Sequence, residues 1–312
     1  MTDILITCPP MLKSMDKFRG KLKDLGFRAN CPNVVQTLSE RELIDLVPKY
    51  EGWIIGDDPA TMKVLEAGIN GRLRALVKWG IGVDNIDLEA TKNLGLKFSN
   101  TPMMFGAEVA DLALSYIISL SRETYQIHCE VKAGKWIKPR GISLKGRTLG
   151  IVGLGDIGRN LAKRSQACEL NIIGYDPYVS QSALDPKIKK KEWPDHIEQI
   201  DFLVFTCALS SKNFHMFNEQ TLSKVKHGVR IVNVALGGLI DEKALISGLE
   251  NGSIHSAALD VFEIEPLPMD AKLRNFSQVI FGSHNASNTE EAVLKTSETS
   301  LVKIFEFLKD TR

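Results

Sequence analysis

Residues 148–176 read TLGIVGLGDIGRNLAKRSQACELNIIGYD, and their order decides the fold. An apolar run with strand character, Thr148–Val152, leads directly into Gly153-Leu-Gly155-Asp-Ile-Gly158, and a helix-compatible segment follows. A second apolar run, Asn171–Tyr175, ends at Asp176. Gly153 permits a tight turn, and Gly155 lets backbone approach a pyrophosphate. Gly158 lets the helix lie close on the strand. The first helical residues, Asp156 and Ile157, then present a helix N-terminus to phosphate. Asp176 lies at the end of the next strand, where a carboxylate accepts ribose hydroxyls and repels a 2′-phosphate. Three spaced glycines alone occur in many turns. Strand, turn, helix, second strand and acid in sequence point to a dinucleotide site that prefers NAD to NADP.

The rest of the chain alternates in the same way. Strand-like runs at Ile4–Thr7, Gly52–Gly56, Leu73–Trp79 and Leu96–Ser99 enclose helical periodicity at Asp16–Leu25, Glu40–Val47, Ala60–Ala67 and Leu88–Asn93. Pro102 interrupts regular structure, and a long apolar helix is expected from Gly106 to Leu120. Its apolar content exceeds one buried stripe, so it either lies sandwiched inside the chain or forms a subunit interface. Beyond Asp176, strands are expected at Asp201–Cys207, Arg230–Ala235, Ser256–Val261 and Gln278–Gly282. Helices are expected at Asn218–Val225, Asp241–Glu250 and Thr289–Leu308. The predicted class is α/β with two doubly wound parallel sheets, the second of about six strands.

With 312 residues, the chain can support two cores. Its 39 basic and 38 acidic residues leave a net charge of +1, which gives no global field for nucleic acid or acidic membranes. Lys187–Lys191 is a basic cluster beside a turn, expected to be a solvated face. MTDILITCPP has neither the basic start nor the cleavage site of a signal peptide, and no run reaches membrane-helix length. Five cysteines without C-x-x-C spacing suit reduced thiols in a cytoplasmic protein and no metal site.

Ligands of open parallel sheets bind outside the carboxyl ends of the strands. That rule selects Lys78–Asp84, Asn100, Cys207-Ala208-Leu209, Val234-Ala235-Leu236, Asp260–Glu265 and His284. Glu265 and His284 make a plausible acid–base pair, with the carboxylate orienting an imidazole that exchanges a proton with a substrate oxygen. Cys207 is equally compatible with a packed thiol, and Lys78 with a solvated lysine. His128, His196, His215, His227 and His255 read as surface or packing residues.

VGLGDIGR, NVALGGLIDEKAL, AALDVFEIEPLP and GSHNAS occur in this order, preceded by KWGIGVDNID and SNTPMMFGAEVADLAL. Together these blocks resemble the D-isomer-specific 2-hydroxyacid dehydrogenase family over nearly the whole chain. The resemblance implies a substrate domain of residues 1–99 plus the C-terminal helix (285–312). It also implies a Rossmann NAD domain of residues 100–284 that carries the contacts of a homodimer. His284 then falls on the family's acid–base histidine and Glu265 on its partner. Asp260 matches the aspartate that holds the nicotinamide carboxamide. Val234 and Ala235 line the nicotinamide side, while Gly153, Gly155, Asp156, Ile157, Gly158, Asp176, Cys207 and Ala208 line the remainder of the cofactor. The backbone of Ile81 and Gly82 is expected to meet the substrate carboxylate.

One departure from the family is serious. Its catalytic arginine precedes paired glycines, and Leu236 stands there. A planar guanidinium binds carboxylate and carbonyl oxygens, whereas leucine offers no donor. The expectations are an altered hydroxy or keto substrate, with Lys78 as a replacement cation, or a catalytically weak NAD(H)-binding sensor or scaffold. Asp111, where many relatives carry glutamate, is a smaller departure.

Overall fold

Strand β1 (Thr2–Ile6) is buried along its whole length, the signature of a strand covered on both faces of a parallel sheet. The computed structural model describes residues 1–309. After β1 come α1 (Pro9–Leu12), α2 (Arg19–Asp24), β2 (Phe27–Asn30), α3 (Glu40–Leu46), β3 (Gly52–Ile55), α4 (Met62–Asn70), β4 (Ala75–Lys78), α5 (Leu88–Asn93) and β5 (Lys97–Ser99). These strands form one parallel sheet in the order β2-β1-β3-β4-β5. A capping box between Ser39 and Glu42 starts α3, and Thr61 and Asp87 cap α4 and α5. Trp53, Leu5, Leu43, Val64 and Leu76 lie in the core of this unit.

A second sheet is built from α6 (Gly106–Arg122), α7 (Thr124–Lys132), β6 (Thr148–Val152), α8 (Asp156–Ala167), β7 (Asn171–Tyr175), β8 (Ile188–Lys191) and β9 (Phe202–Phe205). It continues through α9 (Glu219–Leu222), β10 (Val229–Asn233), α10 (Glu242–Asn251), β11 (Ile254–Leu259) and β12 (Val279–Phe281). Its order is β12-β11-β10-β9-β6-β7-β8, all parallel. The order reverses beside β6, the topological switch point at which doubly wound sheets bind ligands. Phe205, Phe217, Leu203, Ile231 and Leu245 anchor this core.

Contacts divide the chain into Met1–Met104 with the segment from Asn288 onward, and Phe105–Ser287. Helix α11 (Glu290–Lys309) packs in the first unit against β3 and β4. The α/β class is as expected, and several details differ, among them the unexpected strand β2. The second sheet has seven strands instead of about six, because Lys187–Lys191 contributes β8 at its edge. Only Ile188 of that strand is buried, and edge lysines suit a strand whose outer ladder is unpaired. Asp16–Leu25 is a 3-10 turn followed by the short α2. Helix α6 is two-faced: Val109, Ala110, Ala113, Tyr116, Ile117 and Leu120 are buried, while Asp111 and Ser115 are exposed. Among the described residues, no helix is long and apolar enough to cross a membrane.

Candidate active site

The parallel arrangement of the second sheet brings the loops after β6, β7, β9, β10, β11 and β12 to one edge. Gly153 follows β6 with φ +98, and a Cβ there would lie 2.7 Å from both N and Cα of Cys207. Only glycine fits that turn. A Cβ on Gly155 would meet nothing within 4 Å, whereas one on Gly158 would strike the Gly153 carbonyl. The loop thus stays open at its tip and closes where α8 meets the strand. Gly155 caps α8 without a side-chain bond, leaving first-turn N–H groups for an anion. Asp156 turns its carboxylate toward Gly106 and Asn160, so only its backbone can serve a phosphate.

Asp176 ends β7. Its Oδ2 accepts the Leu154 N–H at 2.8 Å and its Oδ1 that of Tyr178 at 2.8 Å, which fixes the carboxylate beside the glycine loop. Thr206, unremarked in the sequence, donates to the Gly153 carbonyl at 2.8 Å and to that of Val152 at 3.1 Å. It ties the loops after β6 and β9 together. Cys207 lies against that turn, and burial pushes its thiol up to about 11, so it packs and does not react. Asn213 donates to the Ala208 carbonyl at 2.8 Å and shapes the same loop.

His284 and Glu265 are brought together from the loops after β12 and β11. His284 Nδ1 lies 2.7 Å from Glu265 Oε2, and Glu265 Oε1 accepts the Phe262 N–H at 2.9 Å. The carboxylate is therefore held at both oxygens and in turn orients the imidazole. His284 has φ +53, and its N–H bonds the Asp260 carbonyl at 2.6 Å. Asp260 is buried, with Oδ2 accepting the Ala286 N–H at 2.8 Å and Oδ1 without a hydrogen-bond partner among the described residues. Burial pushes its carboxyl up, and the Asn285 and Ala286 N–H groups and His284 counteract that rise. The open glycine turn and an unsatisfied acceptor suited to an amide fit a nicotinamide dinucleotide.

Val234, Ala235 and Leu236 follow β10. Asn233 holds this loop by accepting the Ala235 N–H at 3.0 Å and donating to the Leu236 carbonyl at 2.9 Å. Leu236 is half-buried and packs on the apolar core, so its surroundings match its side chain. His215 stacks on Phe214, and its Nε2 lies 3.1 Å from Glu263 Oε1. His215 therefore joins two loops through its stacking on Phe214 and its close approach to Glu263.

Lys78, Ile81, Gly82 and Asn100 belong to the first unit. Lys78 ends β4 and is 4% exposed; its Nζ donates to the Gly56 carbonyl at 2.6 Å and to Asp57 Oδ1 at 2.7 Å. The solvated alternative is thus corrected: the ammonium is buried, with Asp57 beside it offsetting its charge. Ile81 and Gly82 are half-buried in the following turn. Asn100 Nδ2 donates to the Ile81 carbonyl at 2.8 Å, and the buried Thr101 hydroxyl accepts the Gly80 N–H at 2.8 Å. Asp111, on α6, is exposed and pairs with Arg164 of α8 at 2.5 Å.

The sequence pattern of the D-isomer specific 2-hydroxyacid dehydrogenase NAD binding domain matches residues 114–286. A hydroxypyruvate reductase of Thermotoga maritima is 34% identical over 277 residues, covering 87% of this chain and 89% of that protein. A D-3-phosphoglycerate dehydrogenase of Methanocaldococcus jannaschii is 36% identical over 266 residues, covering 83% of this chain but 50% of its own length. The chain thus spans about half the length of such phosphoglycerate dehydrogenases. Among solved structures, the apo D-lactate dehydrogenase of Escherichia coli superposes with a TM-score of 0.84 at 26% identity, covering 99% of this chain and 98% of that one.

Proposed function

Because the chain belongs to the D-isomer specific 2-hydroxyacid dehydrogenase family, we propose that it interconverts a hydroxy and a keto compound, with His284 as the acid–base residue. The 2.7 Å bond between His284 Nδ1 and Glu265 carries this reading. In the oxidising direction the carbinol C–H bond breaks and its electron pair leaves with the hydrogen. The hydroxyl proton passes to His284 Nε2, the nitrogen turned away from Glu265, and the C–O bond becomes a carbonyl. A bound nicotinamide would supply the hydride acceptor for this direction and the hydride donor for the reverse. Glu265 keeps the imidazole in one orientation and stabilises its charged form after proton uptake.

The cofactor is held along the glycine turn by Gly153, Gly155 and Gly158 with the backbone of Asp156 and Ile157. Asp176 receives the adenosine ribose. Val234 and Ala235 would flank the nicotinamide half and Cys207 and Ala208 the remainder, and Asp260 would take the carboxamide. A carboxylate fixed at the end of β7 opposes a 2′-phosphate, so NAD(H) is preferred to NADP(H). On the substrate side we assign the backbone of Ile81 and Gly82 and the Lys78 ammonium, which has a third donor beyond its bonds to Gly56 and Asp57. Leu236 marks a substrate other than the simple 2-keto acids that an arginine would clamp. A pure sensor or scaffold has no use for an imidazole oriented by a doubly held carboxylate. Exposed Ile118, Tyr125, Val131 and Trp136 on and after α6 and α7 support a homodimer, and five unpaired thiols support a cytoplasmic setting.

The test is oxidation of NADH, with NADPH as comparator, against a panel of 2-keto acids, phosphorylated keto acids and keto-sugars. At least one substrate should turn over, faster with NADH. His284→Ala should lower that rate by about 10²-fold or more while NADH still binds. Tight NADH binding without turnover of any panel member would reject the enzymatic reading.

A further inference from the structure

Asp260 has one carboxylate oxygen bonded and the other, Oδ1, buried without a partner among the described residues. Such an acceptor is costly to leave unmade. Tyr116 approaches it from the buried face of α6, the helix that packs on β10 and β11. A Cβ on residue 282 would sit 2.8 Å from the Tyr116 hydroxyl and directly against Asp260 Oδ1. Gly282 is therefore the gap in which phenol and carboxylate converge. Burial and the Asp260 charge push the Tyr116 hydroxyl up to about 12, so it remains a proton donor at neutral pH.

We propose that Tyr116 is a positioning residue for Asp260: its hydroxyl, not bonded to Oδ1 in this structure, closes on it through the space that Gly282 leaves and donates to it when the cofactor binds. An ionised carboxylate oxygen accepts more than one hydrogen bond, so Tyr116 takes one lone pair of Oδ1 and leaves the other for an amide N–H. The phenol thereby selects the rotamer in which Asp260 meets the nicotinamide carboxamide. This inference rests on the reading of Asp260 as the carboxamide's partner.

The experiment compares the binding of NADH and of ADP-ribose, which has the same phosphates and adenosine but no nicotinamide. It uses the full chain and its Tyr116→Phe and Asp260→Asn variants, with thermal unfolding recorded for each. Tyr116→Phe removes only the hydroxyl and is expected to weaken NADH about 3- to 10-fold while leaving ADP-ribose unchanged. Asp260→Asn should show the same selectivity more strongly. Loss of NADH and ADP-ribose affinity in equal proportion in Tyr116→Phe would mean a merely structural role and overturn the proposal. So would a selective Asp260→Asn beside an unchanged Tyr116→Phe. If Asp260→Asn itself leaves the ratio unchanged, the assignment of Asp260 falls, and the role given to Tyr116 falls with it.

Discussion

At position 236 a hydrocarbon side chain stands where the resemblance places a guanidinium, and its neighbours suit it. Leu236 packs on the apolar core while Asn233 fixes its backbone. An arginine there would have to carry its charge across apolar surface, which opposes a productive pose. Leu236→Arg is therefore expected to leave activity on glyoxylate, pyruvate and hydroxypyruvate low and to reduce turnover of the true substrate. Steady-state rates on these three acids check it. A rise of about 10-fold or more, the worth of one charged hydrogen bond, would show instead that Leu236 merely disables an ordinary site.

Among the elements, β6 depends on a charge cluster at its start. Asp201, nearly buried before β9, accepts the Thr148 N–H at 2.9 Å, Lys226 at 2.8 Å and Arg147 at 3.1 Å. Burial pushes its carboxyl up, but Lys226, the Thr148 N–H and Arg147 outweigh that and hold it below its ordinary 3.8. A carboxyl that binds its proton less readily when folded adds stability above its unfolded value. That stability is lost as pH falls through the folded value. Asp201→Asn should thus cost about 1–3 kcal/mol near neutral pH, and the gap to the parent should narrow below about pH 4. Urea unfolding across pH measures this, and a gap independent of pH would refute it. The same end of the sheet carries Arg230, buried over the Phe202 ring and bonded to the Leu120 carbonyl at 3.1 Å, so α6 is tied to the sheet by a cation as well as by packing.

For the whole molecule, two separate cores under two parallel sheets explain why the chain needs its length. They leave apolar side chains on α6 and α7 uncovered, Ile118 among them at 39% exposure. The proposed homodimer is expected to bury them. Sedimentation at micromolar concentration should give about twice the 34.6 kDa of one chain. A mass near 34.6 kDa would reject the homodimer.

How much was legible beforehand follows from which interactions are local. β6, β7 and α5 appear with their expected bounds, since runs of apolar residues closed by glycine or an N-cap are complete signals within the chain. The positions of Gly153, Asp176, Glu265 and His284 were readable because they lie in loops after strands that the sequence itself marks. β2 and β8 were missed: Phe27–Asn30 and Ile188–Lys191 bury little, and only pairing with a neighbouring strand makes them strands. Lys78 looks the same in sequence whether solvated or buried, and Asp57 and Gly56, brought to it by β3, decide the matter. Tyr116 and Gly282 are 166 positions apart, with no periodicity to link them. The sequence determined the alternation of strand and helix and the residues at the strand ends, because periodicity and turn chemistry are short-range. Only tertiary structure decided which buried polar groups are paired, because a burial partner is a property of the packed sheet and not of the chain.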